Sequence, residues 1–195
     1  MTTIPNDIQS STVYFASPGK VNTDRTLQLA KDRASELGIK TILVATTKGD
    51  TAVKAATMFK ECRVVAVSHS AGFKEPNSQE MTTENMAAFK EMGGGLLTTA
   101  HAFGGVERAV RKTLDTYLTV EIVSQTLRSL FGPGIKVVCE IALMAADAGL
   151  VRTDEDVVAI AGTSYGADTA VVIRPACAQH FFDLRVKELI CKPRG

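Results

Sequence analysis

Short runs of aliphatic and β-branched residues alternate along the chain with stretches whose apolar positions recur at helical spacing. The runs fall at 12–16, 41–45, 63–67, 96–99, 157–161 and 169–173, with a last one at 188–191. Most are apolar without the alternation of a half-exposed strand, the pattern of strands covered on both faces. Between them, Leu27, Ala30, Ala34 and Leu37 predict a helix from Thr23 that stops at Gly38. Val53, Ala56 and Phe59 predict a second, starting after Gly49 with Asp50 or Thr51 as its cap, and a third starts at Thr82 or Thr83 and stops at Gly93. Val106, Ala109, Val110 and Leu114 mark a fourth, and Ile122, Val123, Leu127, Leu130 and Phe131 a fifth that Gly132, Pro133 and Gly134 end. Val137, Val138, Ile141, Met144, Ala145 and Ala148 mark a sixth, ended by Gly149. Strands alternating with helices imply an α/β domain with a largely parallel sheet.

The end of the chain breaks that pattern. Only seven residues separate Ala161 from Thr169, and a parallel crossover needs about a dozen or more. The fold class expected is therefore three-layer α/β/α, mostly parallel, with an antiparallel strand near the C-terminus.

Composition narrows the function classes. Twenty-two Lys and Arg balance 21 Asp and Glu over 195 residues, leaving a net charge of +1, too weak a field for nonspecific attraction to nucleic acid or anionic lipid. A chain of this length can bury about 70% of its unfolded surface, so a single domain over 12–195 needs no metal or disulfide to hold it. Cys62, Cys139, Cys177 and Cys191 lie far apart and read as cytosolic thiols. Residues 1–11 read as a flexible start without the basic and apolar regions of a signal peptide. The most membrane-like stretch, 137–151, carries Glu140 and Asp147 and is too short to span a bilayer. The expectation is a cytoplasmic protein that binds a small molecule, with no nucleic-acid or membrane partner; a homo-oligomer stays open.

In an open parallel sheet, ligands bind beyond the carboxyl ends of the strands where the strand order reverses. The loops there are small, hydroxylated and glycine-bearing: Ser17 to Lys20, Thr46 to Thr51, Ser68 to Gly72, His101 to Gly105, and Gly162 to Thr169. In the second, Thr46, Thr47, Lys48, Gly49, Asp50 and Thr51 stand at the start of a helix, where unpaired N–H groups and the positive end of the dipole favour an anion. The competing reading is that Asp50 or Thr51 merely caps that helix. Neither G-x-x-x-x-G-K-[ST] nor G-x-G-x-x-G is present.

The run Thr46-Thr47-Lys48-Gly49-Asp50-Thr51-Ala52, with the helix and strand before it, resembles the T-x-x-G-x-[ST]-A loop of the pyruvate kinase C-terminal α/β domain. The strand and turn at 64–70, the Met92-Gly93-Gly94 segment, and the pair 157–162 and 169–173 follow in that domain's order. In many pyruvate kinases the first and last of these loops form a sugar-phosphate effector site. The whole chain is similar to small stand-alone proteins built from this domain. That likeness runs through Tyr14-Phe15, Pro18-Gly19, Asn22-Thr23, Met144 to Asp147, Gly166 to Pro175 and Ile190 to Arg194. The resemblance implies a site associated with flavin mononucleotide (FMN). It assigns no reaction and no catalytic residue, and no barrel of the kind that carries pyruvate kinase chemistry fits in this length.

The site expected from these readings is a phosphate cup at Thr46, Thr47, Lys48, Gly49, Asp50 and Thr51, with Gly162, Ser164, Gly166 and Thr169 on the opposite wall and Ser17, Gly19, His69 and His101 nearby. The Asp50 side chain is expected to cap the helix or meet Lys48. FMN is the leading ligand, with a non-catalytic sensor of a sugar phosphate or anion as the alternative. A further alternative is a hydrolase, since Gly162 to Gly166 spells G-x-S-x-G around Ser164. A nucleophile elbow turns into a helix, however, and the residues after Gly166 read as a strand. His180, beside Phe181 and Phe182, reads as packing, and no two histidines share metal-ligand spacing.

Overall fold

The computed structural model describes residues 7–195. Of the expected flexible start, 1–6 lie outside the described residues, and 7–12 run without helix or strand. The strands are β1 (Val13–Phe15), β2 (Thr41–Thr46), β3 (Arg63–Ser68), β4 (Gly95–Thr98), β5 (Val157–Ala161), β6 (Thr169–Arg174) and β7 (Arg185–Pro193). The helices are α1 (Thr23–Leu37), α2 (Asp50–Met58), α3 (Thr83–Glu91), α4 (Val106–Leu114), α5 (Thr119–Phe131) and α6 (Pro133–Asp147). Each matches an expected element, with ends shifted by four residues at most; the largest shift is at α6, which starts within the expected Gly132-Pro133-Gly134 break because Pro133 is tolerated in a helix's first turn. Strand β7 runs on both sides of the expected 188–191 because its edge is paired with β6 and β1.

The seven strands form one sheet in the order β1-β7-β6-β5-β2-β3-β4. All pairings are parallel except those of β6, which runs antiparallel to both β5 and β7. From β2 the chain proceeds towards one edge, and from β5 towards the other. Neighbouring β2 and β5 thus bracket the point where the order reverses, and a crevice opens at their carboxyl ends.

Each strand feeds two cores, because successive side chains point to opposite faces. Ile42 and Val44 pack beneath α1, α2 and α3 with Val64, Ala66, Val158 and Ile160, while Leu43 meets Val65, Ala159 and α6 on the other face. Helix α6 is apolar over most of its circumference and buried along most of its length, from Gly134 to Ala146. It lies directly behind the carboxyl ends of β2 and β5.

Candidate functional site

Helix α2 starts without a side-chain cap. Gly49, not Asp50 or Thr51, is its N-cap residue, and no side chain there accepts an N–H of the first turn. The expected capping by Asp50 is therefore corrected. Its carboxylate is exposed and hydrogen-bonds neither the helix nor Lys48. The free N–H groups of Asp50, Thr51 and Ala52 face the crevice end of the helix, where the dipole is positive. The Thr46 hydroxyl, already buried, accepts the Gly49 N–H at 3.2 Å and braces the turn. Thr51 is 6% exposed, and among the described residues nothing hydrogen-bonds its hydroxyl.

Gly49 itself serves packing. Its φ is +102°, and a Cβ there would lie 2.4 Å from Asn85 Cβ. Asn85 Nδ2 and the Thr82 N–H both donate to the Lys48 carbonyl, at 3.0 and 3.2 Å, so α3 clamps the turn from behind. The glycine gives α3 close access to the turn, and its Cα does not line the cavity.

Across the crevice, the β5–β6 loop lies against the start of α1. A Cβ on Gly166 (φ +84°) would lie 2.5 Å from the Thr23 hydroxyl and 2.7 Å from Lys20 Cα, so only glycine admits this approach. Asp168, fully buried, fastens the loop: its Oδ2 accepts the N–H groups of Gly19 (2.7 Å) and Thr163 (3.1 Å), and its Oδ1 accepts the Thr169 hydroxyl (2.9 Å). Gly19 and Thr169 thus lie outside the cavity, as supports, and Ser17, whose carbonyl accepts Asn22 Nδ2 at 2.7 Å, lies outside it as well. Tyr165 reaches back over the mouth, with Lys48 Nζ 5.7 Å from its ring centre.

Between these walls lies a cavity of about 410 Å³, within the usual range for small-ligand pockets. Its mouth is polar, with Thr46, Thr47, Lys48, Asp50, Thr51, Lys20, Ser164 and Gly166. Its interior is a slot behind the sheet, lined by Ala45 and Val67 and by Val137, Ile141 and Met144 of α6. The α6 residues fall on one face by helical spacing. Glu140 shares that face and is 4% exposed; its Oε1 accepts the Phe103 N–H at 3.0 Å and its Oε2 accepts Lys136 Nζ at 2.5 Å. Burial lowers the Lys136 ammonium's hold on its proton, and the Glu140 charge opposes this.

A ring cluster closes the remaining side. His69 Nδ1 lies 2.6 Å from Glu80 Oε2, whose partner oxygen meets Lys74 at 2.7 Å. Burial pushes the Glu80 carboxyl up, but the hydrogen bonds from His69 and Lys74 outweigh it and hold Glu80 below its ordinary range. Phe73 stacks on His69 at 4.2 Å and on His101 at 5.0 Å, with the Arg108 guanidinium 5.3 Å from its ring centre. Burial pushes His101 down to about 4, and its unprotonated Nε2 accepts the Ser70 N–H at 3.3 Å.

The structure thus gathers Thr46, Thr47, Lys48, Asp50, Thr51, Gly162, Ser164, Gly166, His69 and His101 around one cavity. Lys20, Tyr165 and Glu140 were not among the expected site residues. Glu140 carried a signal: a carboxylate among the apolar positions Val137, Ile141 and Met144. Asp147, paired with it in sequence, instead accepts the Ala178 N–H on the surface. His180 is exposed, so its expected packing is corrected; Phe181 packs in its place, edge-on to Phe103. Ser164 adopts φ +64°, but the loop continues into β6, and no histidine hydrogen-bonds its hydroxyl among the described residues.

The pyruvate kinase alpha/beta domain matches residues 24–173, which span α1 through most of β6. The chain belongs to this family. Two solved structures of O-ureido-L-serine synthase also overlap it, the enzyme at 15% identity and TM-score 0.31, and an O-ureido-L-serine-bound mutant at 16% and 0.32. Each overlap covers 71% of this chain, and the chain spans about half of those proteins, 50% and 49% respectively. Overlap at these scores adds nothing to the reading of fold or site. No helix among the described residues is long and apolar enough to cross a membrane.

Proposed function

We propose that the protein binds a phosphorylated small molecule, FMN first among the candidates, with its phosphate at the start of α2 and its ring in the slot against α6. One observation carries this reading: a single cavity joins uncapped helix N–H groups at one end to an apolar slot at the other. Such a cavity suits a ligand that is anionic at one end and flat and apolar at the other. Thr47 and Thr51 would add hydroxyl donors to the phosphate, and Lys48 and Lys20 charge. Asp50 is the one carboxylate at the mouth, and its exposure lets it turn to solvent. A cytoplasmic setting accords with four free cysteines.

A sugar phosphate would use the same helix start but leave the apolar slot unfilled, which ranks the sensor reading second. A hydrolase built on Ser164 lacks a histidine partner for that serine in this arrangement.

Absorbance of protein purified without added cofactor, together with quenching of FMN fluorescence at micromolar protein, tests the proposal. A yellow preparation or saturable quenching is expected, and neither appearing refutes FMN. A thermal-shift panel of FMN against sugar phosphates ranks the two ligand classes, since a ligand at a hundred times its Kd adds about 2.7 kcal/mol.

A further inference from the structure

The slot contains one charged side chain that the phosphate end does not use. Glu140 sits 4% exposed among Val137, Ile141 and Met144, and it is held from behind by Lys136 and from the side by the Phe103 N–H. A carboxylate offers about four acceptor positions. Those two donors use one on each oxygen, so each oxygen keeps a further acceptor position. Lys136 is not among the residues that line the cavity, whereas Glu140 is. Buried ion pairs are weak as stability devices, because apolar replacements of similar volume are often neutral or stabilising. Placed against the slot, this pair has instead a recognition role open to it.

We infer that Glu140 reads a ring N–H of the bound ligand, so that the slot takes a planar ring system with an imide or amide N–H and rejects one that presents only acceptors there. The inference rests on the reading that the slot holds the ring of a phosphorylated ligand, and it adds the chemical feature by which that ring is selected. A ring carbonyl set against the carboxylate would meet like charge in a water-poor slot, whereas an N–H completes the acceptor set. In FMN the imide N–H of the ring is such a donor. Lys136 acts as a positioning residue that fixes the carboxylate rotamer.

The test compares FMN with FMN methylated at that imide nitrogen, by fluorescence quenching with the full chain. The wild type should bind the methylated form at least about tenfold more weakly, as loss of one charge-assisted hydrogen bond implies. In Lys136→Met/Glu140→Leu, which removes both charges together, the ratio should fall below about threefold. Equal affinities in the wild type overturn the inference without recourse to any variant. A ratio that persists in the folded double variant overturns it too, because the discrimination is then steric. Tight binding of both flavins leaves the FMN reading intact while this one fails. Absence of FMN binding to the wild type removes both.

Discussion

The Asp168 carboxylate accepts the Gly19 N–H at 2.7 Å across 149 residues of chain. That bond ties the loop after β1 to the β5–β6 loop, and so ties the sheet's edge strand to one wall of the cavity. Asp168→Ala would leave the part-buried N–H groups of Gly19 and Thr163 without their acceptor and the Thr169 hydroxyl without its own, and cost about 3 kcal/mol in all. For a chain of this size that is a fall in Tm of about 6–12 °C by calorimetry. FMN affinity should fall with it, because the wall loses its anchor. A Tm within a degree of wild type would show that the loops hold without the clamp.

Gly49 is constrained by α3. Gly49→Ala places a Cβ 2.4 Å from Asn85 Cβ at a backbone φ of +102°, and the left-handed conformation alone costs an L-residue about 1–2 kcal/mol. A clear loss of stability is expected, visible as a lower urea midpoint. Asn85→Gly in the same chain should relieve the clash, leaving the part due to φ together with the loss of the Asn85 Nδ2 bond to the Lys48 carbonyl, for which the single variant Asn85→Gly is the control.

Thr51→Val separates binding from folding. Since among the described residues no group hydrogen-bonds the Thr51 hydroxyl and the residue is 6% exposed, a methyl in its place should leave Tm unchanged. FMN should nevertheless bind about tenfold more weakly, one charge-assisted hydrogen bond being lost. Lys48→Met should weaken binding by about tenfold or less at low salt. Raising ionic strength should close the gap to wild type for Lys48→Met only, because screening acts on charge at a distance more than on a short hydrogen bond.

His101 gives the protein an acid limit. Burial lowers its folded value to about 4, against 6.5 for the ordinary imidazole. Between those values the unfolded chain takes up the proton and the folded one does not, so stability falls as pH drops through this window and is whole above it. The slope is at most about 1.4 kcal/mol per pH unit and smaller in practice, because the ring keeps some contact with solvent. His101→Gln should flatten the stability curve between pH 4 and 6.5 in urea titrations at stepped pH; an unchanged curve would place the acid sensitivity elsewhere.

The strands and helices were legible because apolar runs and 3.6-residue spacing are local signals. The reversal at β6 was legible because seven residues cannot make a crossover. That the two loops would meet at one site came from the resemblance to the pyruvate kinase domain, since no local signal pairs them. What stayed hidden depends on contacts between distant segments. Gly49 looked like a door for phosphate because nothing local shows that Asn85 presses on it. Thr169 and Gly19 looked like wall residues because their bonds to Asp168 are made across the fold. Asp50 stands where helix caps are usually sought, yet the left-handed turn at Gly49 moves the cap position back by one residue. Glu140 was visible as a misplaced charge, but only the packing of α6 behind β2 and β5 gives it a place against the slot.

Among the described residues only α3 of the six α-helices has an N-cap side chain in place, the Thr82 hydroxyl, which accepts the Asn85 N–H at 3.2 Å. Helix α2 begins on a glycine and has none, a deficit of about 0.3 kcal/mol relative to a side-chain-capped start. Its later turns are held by the buried Ala52, Ala55 and Ala56, so the deficit is confined to the first turn. An arriving anion then completes the helix as well as occupying a site, and the amides of Thr51 and Ala52 become a local gauge of occupancy. Their hydrogen exchange should be fast in the free protein and slow markedly with FMN, while exchange in β2 and β5 stays governed by global unfolding.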